Sequence, residues 1–77
     1  KPAPDIFLEA ARRLGTKPAD TLVLEDSPAG VRAGAAGGFK TVMVPDTLPP
    51  TDELRALATC VCRDLNEVRE LLEKGAL

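Results

Sequence analysis

Three short apolar runs alternate with longer segments of helical character, and this alternation constrains the fold more than any other feature. The runs cover residues 21–24, 41–44 and 60–62. Short runs that are apolar throughout are typical of strands buried on both faces, as in a parallel sheet. Helices are predicted at residues 4–14, 28–37, 51–58 and 64–74. Helical spacing predicts an apolar stripe in the first helix and an inward face in the last, formed by Ile6, Phe7, Ala10, Ala11 and Leu14 and by Val68, Leu71 and Leu72. The order α-β-α-β-α-β-α, with short links, predicts an α/β chain with a parallel sheet and right-handed crossovers.

Helix boundaries are marked by capping residues. Ser27 followed by Pro28 predicts a helix start, because the hydroxyl can cap free N–H groups and proline suits the first helical position. Thr51 can cap the third helix, and Asp64 and Glu67 have the spacing of a capping box for the last helix. Gly38 follows the second helix, where a left-handed residue commonly ends a helix.

The first strand is predicted to need a neighbour on each side. Residues 22–24 are as apolar as a central strand, and unpaired edges of parallel sheets are normally covered. The remaining strands supply a neighbour on one side only. We therefore expect part of the sheet to be missing, and we expect the Leu22–Leu24 edge to pair with the missing part or with another copy. The chain also begins with Lys1, which favours a piece of a longer protein.

Composition excludes several classes of function. Ten basic and twelve acidic residues give a net charge of −2, which argues against nucleic-acid binding and against a polybasic membrane anchor. No apolar run approaches the roughly 20 residues that span a bilayer, and no signal peptide is evident, so a cytoplasmic location is expected. The absence of histidine excludes a Ser-His-Asp triad, a Cys-His pair and a His-ligated zinc site.

Glu25 and Asp26 are the main candidate site residues. They follow the first apolar strand and directly precede a helix start, which is where open α/β sheets bind ligands. Adjacent carboxylates repel each other unless a cation lies between them, and Mg²⁺ often takes only one or two protein carboxylates. The alternative is structural, with Asp26 or Ser27 capping the next helix.

Five further residues are candidates for a functional or a structural role. Lys1, held by a proline-rich segment, could place an ammonium in a phosphate site, or it could be a solvated terminal residue. Gly30 and Gly34 would allow the second helix to approach the sheet closely. Cys60 and Cys62 lie on one face of a strand and are interpreted as small buried apolar residues.

Two motifs with characteristic spacing carry a family resemblance. K-P-A-P-D-I-F is followed about twenty residues later by E-D-S-P-A-G-V-R-A-G and then by G-F-K-T-V-M-V-P-D. This pattern resembles the C-terminal third of the haloacid dehalogenase-like (HAD) hydrolases, in the branch of β-phosphoglucomutase and sugar-phosphate phosphatases. The resemblance matches Lys1 to the phosphate-site lysine, Glu25 and Asp26 to the Mg²⁺-binding acidic pair, and Ser27 to a residue supporting that loop.

The resemblance implies a Rossmann-like fold and phosphoryl transfer through an aspartyl phosphate on small phosphorylated substrates. The nucleophile motif D-x-D-x-T, the second-motif Ser or Thr and the substrate-selecting cap are all absent from the 77 residues. Residues 1–77 are therefore expected to form the C-terminal part of a HAD-like core domain and to be inactive alone. Neither the substrate nor the choice between phosphatase and mutase is specified.

Two other classes remain open from the sequence. One is a non-catalytic α/β interaction module that completes another chain's sheet through the edge at residues 22–24. The other is an acidic, metal-binding receiver-like domain, which would need a further carboxylate from an earlier strand.

Overall fold

The computed structural model describes residues 4–45 and 49–77, and it contains a three-stranded parallel sheet with helices on both faces. The helices are α1 (Asp5–Leu14), α2 (Pro28–Ala36), α3 (Asp52–Leu57) and α4 (Leu65–Glu73), with a short 3₁₀ turn at Pro18–Asp20. The strands are β1 (Leu22–Glu25), β2 (Lys40–Met43) and β3 (Cys60–Val61). The predicted α/β class and the order of elements are confirmed, with strand boundaries shifted by one residue.

The sheet has the order β1-β2-β3, so β1 lies at one edge. Leu22 aligns with Lys40, and Glu25 aligns with Met43. Residue 62 extends the pairing beyond β3, since the Cys62 N–H donates to the Met43 carbonyl at 2.9 Å. In the described sheet the apolar strand β1 therefore has a neighbour on one side only, as the prediction of a missing strand requires.

Two apolar clusters hold the helices on opposite faces of the sheet. Met43 packs with Val31 of α2 and with Leu54 and Ala58 of the α3 segment. On the other face, Val42 and Cys62 pack against Val68 of α4, with Leu22, Val44, Cys60, Leu71 and Leu77 at the margin. Alternate side chains of a strand point to opposite faces, which is why adjacent residues of β2 join different clusters.

Helix ends follow the predicted signals. Ser27, Thr51 and Asp64 each cap a helix by accepting a backbone N–H with the side chain. The Glu67 carboxylate accepts a hydrogen bond from the Arg63 N–H at 2.7 Å, one residue before the position expected for a capping box. Gly38 has a φ of 81°, and the Phe39 N–H donates to the Gly34 carbonyl at 3.0 Å. Together they complete a helix end with a left-handed residue.

The helix α1 is less buried than its apolar stripe predicts. Phe7 contacts Phe39 edge to face at a centroid distance of 6.0 Å, and Ala11 is buried. Ile6 and Leu14, which belong to the same stripe, remain 75% and 74% exposed. Leu72 of α4, expected to face inward, is also half exposed. Helical periodicity identifies an apolar face, but only the neighbouring elements decide whether that face is covered.

Candidate functional site

The acidic pair lies at the carboxyl end of β1. Glu25 is the last residue of the strand and is half-buried, whereas Asp26 follows it and is exposed. The Glu25 carbonyl accepts a hydrogen bond from the Val44 N–H at 2.9 Å. Pairing with the segment that follows β2 therefore fixes the backbone of Glu25, the first residue of the acidic pair.

Ser27 connects this strand end to the start of α2. Its backbone is extended, and its Oγ accepts the Gly30 N–H at 3.1 Å. The same hydroxyl donates to Glu25 Oε1 at 3.4 Å. The structural interpretation is therefore confirmed for Ser27, which caps α2. Among the described residues, the Asp26 side chain caps nothing.

Neither carboxylate has a basic partner among the described residues. The ion pairs found there join Glu9 to Arg12 and Arg13, Arg32 to Glu53, and Arg63 to Glu67. Each of these pairs includes at least one exposed side chain, and a solvent-accessible ion pair contributes little. The charges of Glu25 and Asp26 therefore remain available to a cation from outside the described part of the chain.

An apolar hollow borders the acidic pair. It has a volume of about 290 Å³ and lies between β1 and α1, where Phe7, Ala11 and Leu14 line it. A second hollow of about 270 Å³ is lined by Leu24, Glu25, Asp26, Val44 and Leu65. Apolar walls lower the local dielectric, so attraction between a carboxylate and a cation is stronger there than in water. No sequence signal marks Val44 and Leu65 as neighbours of the acidic pair, because only the tertiary fold brings them beside residue 25.

The donor set fits part of a Mg²⁺ site. Two carboxylates at one strand end provide the hard oxygen ligands that Mg²⁺ prefers, and this ion commonly adds substrate phosphates and water to one or two protein carboxylates. In residues 4–45 and 49–77, no cluster of three or more Asp, Glu, His or Cys side chains could hold a metal. Further protein ligands, where the ion needs them, have to come from elsewhere.

The other predicted site residue, Lys1, lies outside the described residues, so its position relative to Glu25 and Asp26 stays a prediction. Cys60 and Cys62 are free thiols with their Sγ atoms 3.9 Å apart. Burial, followed by the hydrogen bond with Cys60, raises the pKa of the Cys62 thiol to about 11. A thiol that resists ionisation is a poor nucleophile. The prediction of a buried apolar residue is therefore confirmed for Cys62, whereas Cys60 is only half-buried.

Helices on both faces of a parallel sheet, with an acidic pair at the carboxyl end of a strand, define a Rossmann-like α/β protein. A family model described as haloacid dehalogenase-like hydrolase matches residues 1–38. This match confirms the resemblance of the chain to the haloacid dehalogenase-like hydrolases.

Several proteins are similar to the chain. The bifunctional riboflavin kinase/FMN phosphatase of Arabidopsis thaliana is 52% identical over all 77 residues, which make up 20% of that protein. A Drosophila melanogaster protein named "Probable pseudouridine-5'-phosphatase" is 62% identical over 48 residues, covering 60% of this chain and 21% of the relative.

A solved structure of a β-phosphoglucomutase-like protein from Bacteroides vulgatus aligns with the whole chain. The TM-score is 0.80 at 33% identity, and the alignment covers 33% of that structure. The chain spans about a fifth of the length of the curated relatives described above. In the part of the chain that the structure describes, no helix combines the length and apolarity needed to cross a bilayer.

Proposed function

We propose that these 77 residues form the C-terminal part of the core domain of a Mg²⁺-dependent phosphatase or phosphomutase. The observation that carries the proposal is the pair Glu25 and Asp26 at the carboxyl end of β1, without a basic partner in the described structure. Relatives named as phosphatases and a β-phosphoglucomutase-like structure support it. The proposed substrates are small phosphorylated metabolites, and the proposed location is the cytoplasm.

In this proposal the residues of the chain prepare a site for a phosphate dianion. Glu25 and Asp26 hold Mg²⁺, with Asp26 as the more direct ligand because its side chain is the more exposed. Bound Mg²⁺ supplies charge stabilisation for phosphoryl transfer. Lys1 places a compact positive charge near the phosphate and the nucleophile. Ser27 keeps the loop between β1 and α2 in position through its two hydrogen bonds.

The proposed reaction passes through an aspartyl phosphate whose nucleophile lies outside these residues, since D-x-D-x-T is absent from them. The edge of β1 is the proposed place for the strand that carries this motif. That edge is unpaired in the described sheet, and apolar hollows lie on both sides of it. The isolated chain is therefore proposed to lack turnover.

The same edge favours a second candidate function. A non-catalytic module could complete the sheet of another chain through β1, and the exposure of Leu24, Ile6 and Leu14 fits that function as well. The receiver-like alternative has no comparable support in the described residues, where no third carboxylate joins the pair.

Phosphate release by the full-length protein tests the proposal. The substrates are p-nitrophenyl phosphate and small sugar phosphates, with Mg²⁺ or with EDTA. We expect turnover only with Mg²⁺ and only when the parent reading frame encodes D-x-D-x-T. A full-length protein without that motif and without turnover would support the interaction module, whereas turnover by the isolated 77-residue chain that Asp26→Asn abolishes would contradict the fragment interpretation.

A further inference from the structure

Glu25, Ser27 and Gly30 form a connected unit at the start of α2. The Gly30 N–H donates to Ser27 Oγ at 3.1 Å, and Ser27 Oγ lies 3.4 Å from Glu25 Oε1. An ionised carboxylate can only accept, so the hydroxyl has to donate its single proton to Glu25. The direction of both hydrogen bonds is therefore fixed, from the helix N-terminus through Ser27 to one carboxylate oxygen.

Gly30 also shapes the space that the Glu25 side chain occupies. A Cβ atom at residue 30 would overlap Oε1 and Cδ of Glu25 and would lie 2.7 Å from its Cγ. Real Cβ atoms do not approach other atoms this closely. Because the overlap includes Cγ, a side chain at residue 30 displaces the whole carboxylate arm of Glu25 and not only its tip.

We propose that Gly30 is a positioning residue for the metal-binding carboxylate of Glu25. Its lack of a side chain leaves room for Glu25, and its N–H holds the Ser27 hydroxyl that donates to Glu25. This inference rests on the proposed function. Ser27 occupies Oε1, and no described residue donates a hydrogen bond to Oε2 of Glu25, which leaves that oxygen for the cation or for its water. Groups that hold a metal ligand in place commonly change metal affinity when they are substituted.

A purely structural role for Gly30 predicts that its substitution changes stability and leaves cation binding unchanged. Glycine inside a helix is unfavourable relative to alanine, so Gly30→Ala should not weaken the helix itself. Gly34 provides a matched control in the same helix, one turn further along. A Cβ atom there would meet Thr41 and not Glu25. Gly34→Ala should therefore lower the melting temperature without changing cation binding.

The experiment measures Mg²⁺ dissociation constants of the full-length protein by calorimetric titration, and melting temperatures in EDTA. We expect Gly30→Ala to weaken Mg²⁺ binding about 10-fold or more, with no fall in the melting temperature in EDTA. Ser27→Ala should also weaken binding, and Ser27→Thr should restore it, because threonine keeps the hydroxyl. Even if Gly30→Ala does not fold, the two Ser27 variants test whether the hydrogen bonds between Gly30, Ser27 and Glu25 support Mg²⁺ binding.

A double variant separates positioning from other effects. In the Glu25→Ala background, Gly30→Ala should cause no further loss of Mg²⁺ affinity, because its partner is already gone. Wild-type Mg²⁺ affinity in both Gly30→Ala and Ser27→Ala, or an equal loss with and without Glu25, would overturn the inference. If Glu25→Ala and Asp26→Ala both bind Mg²⁺ normally, the proposed function itself is wrong. If only Glu25→Ala and Asp26→Ala lose Mg²⁺ affinity, the proposed function stands and only the role of Gly30 is refuted.

Discussion

Gly34 of α2 lies so close to Thr41 of β2 that a Cβ atom on the glycine would be 2.5 Å from Thr41 Oγ1 and 3.0 Å from its Cγ2. Thr41 is fully buried and cannot move into solvent. Its hydroxyl donates to the Phe39 carbonyl at 3.2 Å, and its backbone N–H donates to Thr59 Oγ1 at 3.0 Å. The sequence prediction that Gly34 permits close helix–sheet packing is confirmed.

Gly34→Ala is expected to destabilise the protein. Overpacking of this kind costs about 1–3 kcal/mol, and the gain in helix propensity of about 1 kcal/mol offsets only part of it. Denaturant unfolding of the full-length protein measures the difference. Adding Thr41→Ala should make Gly34→Ala less costly, because the two atoms that clash are removed. Equal costs of Gly34→Ala with and without Thr41 would contradict the packing explanation.

Asp26→Ala should sharply reduce the Mg²⁺-dependent rate of the full-length enzyme, and Glu25→Ala should reduce it by a similar or smaller factor. The physical reason is the loss of a charged oxygen ligand from a hard cation. Steady-state rates across a Mg²⁺ series provide the measurement, with Asp52→Ala, in the first turn of α3, as an acidic control. Full activity and unchanged Mg²⁺ dependence in both variants would leave the pair without a metal-binding role.

Lys1→Ala should cut turnover of the full-length enzyme far more than Lys17→Ala or Lys74→Ala. The resemblance places only Lys1 near the phosphate, whereas Lys17 and Lys74 flank the 3₁₀ turn and the end of α4. Lys1→Arg should restore activity poorly, because a broad planar fork replaces a compact charge. Turnover numbers for the four variants decide this, and equal losses in all three alanine variants would argue against the motif assignment.

The isolated 77-residue chain should self-associate or remain only marginally stable. The unpaired groups of β1 can pair with another strand, and Leu24 on this edge is 43% exposed. Sedimentation at several concentrations and amide exchange measure the association and the protection of residues 21–44. We expect Leu24→Lys to reduce association, and we expect Leu57→Lys, at a similarly exposed position of α3, to leave it unchanged.

A monomeric chain with strong protection throughout residues 21–44 would contradict this prediction. Such a result would show that the fragment folds without a partner strand. It would also favour the interaction module over the enzyme fragment.

Cys62 should react slowly with alkylating reagents until the protein unfolds. Burial raises the pKa of its thiol from 9.0 to about 11, so the folded protein holds about 100-fold less thiolate than the unfolded chain at the same pH below 9. Iodoacetamide labelling at pH 8, with and without urea, followed by peptide mass analysis, measures the rates. Similar rates in both conditions would show that the thiol is accessible and normally ionised.

The same pKa shift predicts how stability depends on pH. The unfolded chain loses the Cys62 proton near pH 9, whereas the folded chain keeps it until about pH 11. This contribution to stability is therefore complete below pH 9 and is lost as the pH rises towards 11.

Local signals account for most of what could be predicted from the sequence. Capping at Ser27, Thr51 and Asp64 depends on residues a few positions apart, and the apolar runs identify the strands by composition alone. The alternation of these elements then leaves few arrangements other than a parallel sheet. The acidic pair could be recognised because Glu25 and Asp26 are adjacent in sequence and follow a strand directly.

Long-range packing could not be predicted in the same way. Periodicity marked Ile6 and Leu14 as an inward face, yet they are exposed because no described element covers them. The apolar wall that Leu65 provides beside Glu25 depends on where α4 begins against the sheet, forty residues further along the chain.

The sequence by itself determined the class of fold, the helix caps and the place of the acidic pair, since each depends on neighbouring residues and on the periods of helices and strands. The tertiary structure decided that β1 forms an edge of the described sheet, that Thr41 requires Gly34, and that the Glu25 side chain occupies the space above Gly30. These relationships depend on register and on the distance of approach between elements, which sequence spacing does not fix.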